Sequence, residues 1–196
     1  MSEGFIIYVE DTETTGLAED CDIIEISLMR FSFTDVSFPA EQKTWYLKAL
    51  HPERISNEAL EKNGHKRADI LWQTEEGRLK YQEPKLVVED IERWMMQDGV
   101  SSIDRIYAGQ NYSFDLTRML RLWDSLGYKD SFPWAVEKGE RCFDTKQLAI
   151  IVDICTGKRR QYFNLGSLVK AFGVKKEKAH RGDADVRMTA GFISKV

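Results

Sequence analysis

The strand-like run near the start of the sequence leads directly into two acidic side chains, and this pattern constrains the fold more than any other. Phe5-Ile6-Ile7-Tyr8-Val9 is a short apolar, β-branched and aromatic run of the length typical of a buried strand. Asp11 and Glu13 follow it two residues apart, so in extended backbone their side chains project to the same face. The sequence therefore predicts two carboxylates together at one edge of a buried sheet.

The remaining patterns predict an α/β fold with a mixed sheet. Ile23 to Phe33 and Thr44 to Leu50 are predicted strands that follow turns at Gly16 and Pro39, which indicates an antiparallel start. A further short strand is predicted at Arg105 to Ala108. The predicted helices run from a cap at Ser56 to a stop at Gly64, from Pro84 to Gly99, through Leu116 to Leu126, from Thr145 to Ile154, from a cap at Asn164 to Gly173, and from about Asp183 onward.

Composition favours one soluble globular domain over residues 1–196. The 196 residues are 42% hydrophobic and 31% charged, which allows a sizeable core. No apolar run approaches the roughly 18 residues of a membrane span, and no secretory signal pattern is present. We therefore expect a cytoplasmic protein with no membrane partner. The three cysteines, Cys21, Cys142 and Cys155, are too widely spaced for a disulfide framework or a zinc cluster and are expected to be free thiols.

The net charge weighs against a broad nucleic-acid surface. A formal charge of -4 does not suit the positive footprint of proteins that wrap a duplex. This objection loses force if the acidic groups cluster around divalent cations, because bound metal reverses the local charge that a phosphate meets. Whether the protein acts on nucleic acid must therefore be judged from its candidate metal-binding and catalytic residues.

Asp11 and Glu13 are predicted metal ligands. Two carboxylates facing one point repel each other, whereas hard divalent cations such as Mg²⁺ or Mn²⁺ favour this set of oxygen ligands. The alternative is an ordinary solvated strand end, since acidic pairs are common on protein surfaces.

Three further residues complete the candidate site. Asp115 lies where a polar loop enters an amphipathic helix, and its alternative role is to cap that helix. His180 and Asp185 are five residues apart, or about 500° on a helix, so they cannot share one helical face. We predict Gly182 as a hinge, Asp183 as the N-cap and His180 on a flexible loop, where an imidazole is able to take a proton from water. The alternative for His180 is an exposed loop residue without a function.

The acid pair, the Asp at the start of a helix and the segment from His180 to Asp185 follow one another in an order that resembles a known enzyme family. Asp11-Thr12-Glu13-Thr14-Thr15-Gly16, Asn111 to Asp115, and His180-Arg181-Gly182-Asp183-Ala184-Asp185 are similar to the three sequence blocks of the DEDDh 3′–5′ exonucleases. The segments Ile23 to Ile26, Ile55 to Gly64, Phe143 to Thr145 and Asn164-Leu165 also look like parts of that family. The resemblance implies a ribonuclease H-like fold with a mixed five-stranded sheet flanked by helices.

The resemblance also implies a two-metal mechanism. Asp11, Glu13 and Asp185 would bind one Mg²⁺ or Mn²⁺, with Asp11 also touching the second, while Asp115, the fourth residue of the metal site, would support the cluster. Two cations roughly 3.5 to 4 Å apart stabilise an in-line displacement at phosphorus. His180 would be the general base, and nucleoside 5′-monophosphates would be released from a free 3′ end.

The family pattern further indicates which residues would contact the terminal nucleotide. These are Thr14, Leu17, Asn63, Asn111 and Phe114. Leu17 and Phe114 offer apolar or stacking surface, and their alternative role is ordinary core packing. Two departures from the family concern this pocket. Gln110 stands where many relatives have His, and Gly182-Asp183 replaces a more usual small or apolar pair.

The sequence favours single-stranded DNA as the substrate but leaves other functions open. These are a 3′–5′ exoribonuclease, a catalytically silent nucleic-acid-binding module and an unrelated metal phosphohydrolase. Two basic clusters are candidates for guiding a phosphate backbone, although charge runs are often simply solvated. They comprise Lys158, Arg159 and Arg160, and Lys175, Lys176 and Lys178.

Overall fold

The computed structural model describes residues 4–32, 40–135, 141–178 and 180–196. The strands of the sheet are β1 (Ile6–Thr14), β2 (Ile23–Phe31), β3 (Glu41–Tyr46), β4 (Arg105–Gly109) and β5 (Cys142–Asp144). The α-helices are α1 (Asn57–Asn63), α2 (Arg67–Ile70), α3 (Glu75–Lys80), α4 (Pro84–Met95), α5 (Ser113–Ser125), α6 (Thr145–Thr156), α7 (Leu165–Ala171) and α8 (Gly182–Ile193).

The strands form one mixed sheet in the order β3-β2-β1-β4-β5. β1 pairs antiparallel with β2, which pairs antiparallel with β3. On its other side β1 pairs parallel with β4, which pairs parallel with β5. The predicted mixed five-stranded sheet flanked by helices, with its antiparallel start, is therefore confirmed.

Alternate residues of β1 belong to two different cores. Ile6 and Tyr8 pack in a cluster with apolar side chains of α4 and α5. Ile7 and Val9 pack in a second cluster with α6, α7 and α8. Because side chains alternate along a strand, Asp11 and Glu13 continue the face that carries Ile7 and Val9. The two acids thus extend towards the side of the sheet that α8 covers.

Local capping signals explain most of the helix boundaries. Ser56 caps α1 by accepting a hydrogen bond from the amide of Ala59, and Gly64 ends that helix with a φ of 77°. Pro84 occupies the first turn of α4, where its missing N–H costs nothing. Asn164 caps α7 through the amide of Ser167. These boundaries were predicted and are confirmed.

Several predicted boundaries were wrong. β1 extends past the apolar run to Thr14, although the prediction that this strand supplies Asp11 and Glu13 agrees with the structure. β3 begins earlier than predicted and ends at Tyr46, since Leu47 leaves the sheet to form an isolated bridge with Gln82. β2 ends at Phe31, and the predicted end at Phe33 lies outside the described residues.

The start of α8 also differs from the prediction. Arg181, not Asp183, is the N-cap of α8, and it makes no side-chain cap hydrogen bond. Asp183 lies inside the first turn, where its carboxylate accepts a hydrogen bond from Arg187 at 3.1 Å. Asp185 lies in the same turn, as predicted.

Two smaller expectations concern cysteines and membranes. Among the described residues, Cys21, Cys142 and Cys155 form no disulfide bond with one another. Within the part of the chain that the structure describes, no helix has the length and apolar character needed to cross a bilayer.

Candidate active site

Three predicted metal ligands meet at one edge of the sheet. β1 supplies Asp11 and Glu13, and the first turn of α8 supplies Asp185. One potential ligand atom of each residue lies within 4.8 Å of those of the other two. Asp185 is buried, whereas Asp11 and Glu13 are half-buried and therefore open to a ligand. This spacing allows three carboxylate oxygens to bind one cation.

The three carboxylates are electrostatically unfavourable without a cation. Burial raises the pKa of Asp11 well above its usual range, and the negative charges of Asp115 and Glu13 raise it further. Burial and then the charge of Glu25 raise the pKa of Glu13 to about 8. Burial also raises the pKa of Asp185. A divalent cation would offset this repulsion, so the residues present fit a hard metal ion with oxygen ligands.

Asp185 shows a second feature that fits a metal site. Its Oδ2 atom accepts a hydrogen bond from the backbone amide of His180 at 3.0 Å. Its Oδ1 atom is buried and has no hydrogen-bond partner among the described residues. Buried carboxylate oxygens are normally paired, so an orphan oxygen beside two other acids is suited to bind a cation.

Asp115 lines the same cavity but is not a member of the group of three. Its Oδ1 atom accepts hydrogen bonds from the backbone amide of Thr12 at 3.1 Å and from the Thr12 hydroxyl at 2.6 Å. Burial raises the pKa of Asp115 to about 6, although these hydrogen bonds lower it. Asp115 lines the same cavity as Asp11, Glu13 and Asp185, which has a volume of about 500 Å³. In this structure it fixes β1 to the start of α5 and does not cap the helix.

His180 lies off the helix, as predicted, at the mouth of the acidic cavity. Its side chain is exposed and lines the cavity that holds the acids. Its backbone has a φ of 61°, which is uncommon for a residue with a side chain, although histidine tolerates it better than most. The hydrogen bond that the His180 backbone amide donates to Asp185 Oδ2 holds this turn in place, and the imidazole lines the cavity.

Gly182 allows the start of α8 to approach the sheet. A Cβ atom at this position would lie 2.8 Å from Ser27 Oγ and 2.9 Å from Glu25 Oε1. A larger residue there would require the side chains of Ser27 and Glu25, or α8 itself, to move. The close contact brings Asp185 to the level of Asp11 and Glu13, so Gly182 serves the site through packing.

Four of the five predicted nucleotide contacts line one pocket. Thr14, Leu17, Asn63 and Phe114 surround a cavity of about 210 Å³ next to Glu13 and His180. Leu17 is 83% exposed, so core packing is excluded as its role. Asn63 donates a hydrogen bond from Nδ2 to the Thr14 carbonyl at 3.1 Å, which joins α1 to β1 across this pocket.

Asn111 lies elsewhere. It lines the acidic cavity and not the pocket that contains Leu17. Its φ of 65° places it in the left-handed region, immediately before Tyr112, the N-cap of α5. Its neighbour Gln110 donates a hydrogen bond to the Phe163 carbonyl at 2.8 Å and accepts another from Thr145. Gln110 therefore connects the segment before α5 to the start of α6 and to the segment before α7.

Sequence reasoning missed Arg118, which holds together the pocket lined by Thr14, Leu17, Asn63 and Phe114. This buried guanidinium donates hydrogen bonds to the carbonyls of Leu17 at 2.8 Å, Ala18 at 2.9 Å and Phe114 at 2.9 Å. It also lies 3.4 Å from the centre of the Phe114 ring. Arg118 thus connects the two apolar walls of the pocket, and its position within a helical pattern gave no signal of this.

A buried network behind Glu13 was also missed. Glu25 pairs with Glu13 across β1 and β2. His65 Nε2 lies 3.0 Å from Glu25 Oε2, and His65 Nδ1 lies 2.6 Å from the Tyr81 hydroxyl. The signal for this network was a charged residue inside the apolar run from Ile23 to Ile26.

The two basic clusters differ in their ion pairs and in their distance from the candidate site. Arg160 forms a close ion pair with Asp153, so it is not a free cation, while Lys158 and Arg159 are exposed. In the second cluster, Lys178 lines a cavity together with His180, and Lys175 and Lys176 do not.

Comparisons with known proteins connect this fold to exonuclease I. No protein-family model matches the sequence, and no curated protein sequence matches it. A product-bound structure of exonuclease I has a TM-score of 0.72 at 17% identity over 99% of this chain and 43% of that chain. E. coli exonuclease I in complex with a dA16 oligonucleotide gives 0.74 at 18% identity over 97% of this chain and 40% of that chain.

A third structure extends the same result. The zinc-bound form of the E. coli exonuclease I complex with single-stranded DNA has a TM-score of 0.71 at 19% identity, over 97% of this chain and 40% of that chain. The chain thus spans about 40% of the length of this exonuclease I. These likenesses concern the fold, and the chain has the ribonuclease H-like fold found in exonuclease I, in agreement with the resemblance of its sequence to the DEDDh exonucleases.

Proposed function

We propose that this protein is a metal-dependent 3′–5′ exonuclease that releases nucleoside 5′-monophosphates from single-stranded DNA. The observation that carries the proposal is the group formed by Asp11, Glu13 and Asp185, with ligand atoms within 4.8 Å of one another. Nearly the whole of this chain matches the fold of part of exonuclease I. Fold alone does not specify chemistry, so the proposal rests on the site.

The proposed cofactors are two divalent cations, Mg²⁺ or Mn²⁺. Asp11, Glu13 and Asp185 would hold one of them, Asp11 would also contact the second, and Asp115 would support the cluster. When bound, such cations neutralise charge on the phosphate and lower the pKa of an attacking water. The raised pKa values of the acids support this assignment, because they indicate carboxylates that favour either a proton or a cation.

The protein side chains have distinct proposed tasks. His180 accepts a proton from the attacking water at a ring nitrogen, since its exposed imidazole borders the acidic cavity. Leu17 and Phe114 contact the terminal base, and Thr14 and Asn63 shape the pocket around the terminal nucleotide. Asn111 contacts the strand from the acidic cavity.

Single-stranded DNA is the proposed substrate. Among the structures with this fold, exonuclease I is found bound to single-stranded DNA and to a dA16 oligonucleotide. The exposed Leu17 and half-buried Phe114 offer the sequence-tolerant apolar contacts that unpaired bases use.

Digestion of a labelled oligonucleotide tests this proposal. A 5′-labelled DNA strand should give a shortening ladder in Mg²⁺ or Mn²⁺, and a 3′-labelled strand should release labelled mononucleotide at once. Asp11→Ala should abolish the ladder, and His180→Ala should slow it by about 10² to 10⁴-fold, the usual contribution of a general base. Asp183→Asn is the matched control, because Asp183 shares the first turn of α8 with Asp185 but binds Arg187. It should retain activity.

Digestion of RNA, binding of uncleaved strands and hydrolysis of small phosphoesters, measured with the same protein, separate the alternative functions. Faster digestion of a matched RNA strand would replace the DNA assignment with an exoribonuclease. Binding of both strands without cleavage would indicate a silent binding module. Hydrolysis of small phosphoesters alone would indicate a different phosphohydrolase.

A further inference from the structure

A second cavity, of about 420 Å³, adjoins the candidate active site and has no role so far. It lies between α1, the end of α3 and the segment that precedes α8. The side chains that determine its character are Lys62, Lys80, Lys178, Arg181, Glu25 and Glu61. These segments are far apart in sequence, so the fold creates this concentration of charge.

The cavity is locally positive in a chain with a net charge of -4. Among the residues that the structure describes, Lys62, Lys80 and Lys178 have no carboxylate within 4.0 Å. Arg181 pairs with Asp183 at 3.3 Å and remains 57% exposed. Of the two acids, Glu25 already contacts His65 at 3.0 Å. The excess of cations therefore faces the open space of the cavity, where it would attract an anion.

The wall behind these cations is ordered. The ammonium of Lys80 lies 4.0 Å from the centre of the Tyr46 ring and 5.3 Å from that of Tyr81. The Tyr81 hydroxyl in turn contacts His65, which contacts Glu25. Such contacts limit where the Lys80 ammonium is placed and leave its donors available to a ligand.

The basic cavity opens onto the same space as the acidic one. Lys62 and His180 line both of these cavities and the nucleotide pocket as well. The charge of Lys62 also reaches Glu13, whose pKa it lowers against the effect of burial. An anion in the basic cavity would therefore lie beside a phosphate held at the acids.

We propose that the basic cavity binds a second backbone phosphate of the substrate strand, separate from the phosphate that is cleaved. This inference rests on the proposed nuclease function. Lysine ammonium groups bind phosphate as point charges without demanding a particular base, so the subsite would recognise the polyanion rather than its sequence. It would favour strands over small phosphoesters, which carry only one phosphate.

A scan with neutral linkages tests the proposal directly. A methylphosphonate linkage removes the charge of one phosphate, and a set of fluorescent DNA strands would carry it at successive positions from the 3′ end. Binding is measured by fluorescence anisotropy in Ca²⁺, which supplies a cation with oxygen ligands. The proteins compared are the native chain, the double variant Lys80→Gln/Lys178→Gln, and the control Lys129→Gln. Lys129 is a lysine that lines none of these three cavities and is 75% exposed.

One position near the 3′ end should depend on the basic cavity. There, the neutral linkage should weaken binding to the native chain and to the control by about tenfold, as expected for loss of a charged hydrogen bond. The double variant should bind the fully charged strand more weakly and should lose less than about twofold at that position. Its slope of log K against log salt should fall by about 0.7 for each phosphate that the protein no longer neutralises.

The outcomes separate this inference from the proposed function. An equal loss at every position in native and double-variant proteins would overturn the second phosphate site, even if the native enzyme gives a normal digestion ladder. If one neutral linkage weakens binding to the native chain but not to the double variant, and no digestion occurs in Mg²⁺ or Mn²⁺, the phosphate site is supported and the nuclease function is refuted. Absence of strand binding would refute both.

Discussion

Metal binding to the three-carboxylate group should release protons, and its affinity should rise steeply with pH. The cause is the pKa of Glu13, which burial and the charge of Glu25 raise to about 8. A cation binds the ionised carboxylate, so below this pKa it must displace a proton. From pH 6 to pH 8 the ionised fraction of a group with a pKa near 8 rises from about one hundredth to one half, which predicts about a 50-fold gain in apparent affinity. The raised pKa of Asp11 makes the dependence steeper.

Isothermal titration calorimetry with Mn²⁺ measures both quantities. Titrations in buffers of different ionisation enthalpy give the number of protons released, which should be at least one per site at pH 7. Glu13→Gln should weaken binding and reduce proton release by about one. Lys129→Gln, at a lysine outside all three cavities, should change neither quantity. An affinity that stays constant from pH 6 to pH 8, with no proton release in the native protein, would refute the electrostatic account of the site.

Three further predictions concern stability and substrate binding. In a chelating buffer, thermal unfolding should occur at lower temperature as pH rises from 5 to 8, because Glu13 has a higher pKa folded than unfolded and the folded state loses its extra proton over this range; a rising midpoint would contradict this. Gly182→Ala should destabilise the chain by about 2 kcal/mol in urea unfolding, because its Cβ would overlap β2. Gly166→Ala, whose Cβ meets only ordinary contacts in α7, should be neutral or stabilising by up to about 1 kcal/mol; equal losses in both variants would refute the packing argument. Arg118→Met should raise the KM for an oligonucleotide about tenfold by releasing the carbonyl of Leu17, while Mn²⁺ affinity changes by a smaller factor, because Arg118 reaches the acids only through its charge on Asp115; an unchanged KM would show that Arg118 does not act on the pocket.

The sequence predicted those parts of the structure that depend on local chemistry. The run before Asp11 and Glu13 predicted a buried strand, and alternation along a strand placed both acids on one face. The caps at Ser56 and Asn164 were predicted because a side-chain oxygen three residues before an amide is a local signal. These features need no knowledge of distant contacts.

The features that were missed depend on tertiary contacts. The short helices α2 and α3 pack against each other, with Gly77 against the backbone of Asp69, and helices of this length have little stability alone. The contact of Asp115 with the Thr12 hydroxyl was not predicted, because 103 residues separate the two in sequence. The basic cavity combines Lys62, Lys80 and Lys178, which separate elements bring together. Only Lys178 stood in a recognised cluster.

Asp11 lies on β1, whereas Asp185 lies on α8, which is synthesised much later. This separation affects when the site forms during synthesis and folding. β1 pairs with β2 from nearby sequence, but the third carboxylate arrives only when α8 docks on the completed sheet. A nascent chain still emerging from the ribosome would therefore carry an incomplete ligand set, and any chemistry of this site would begin only after synthesis has passed α8. The order of synthesis would thus delay activity until α8 has docked on the sheet.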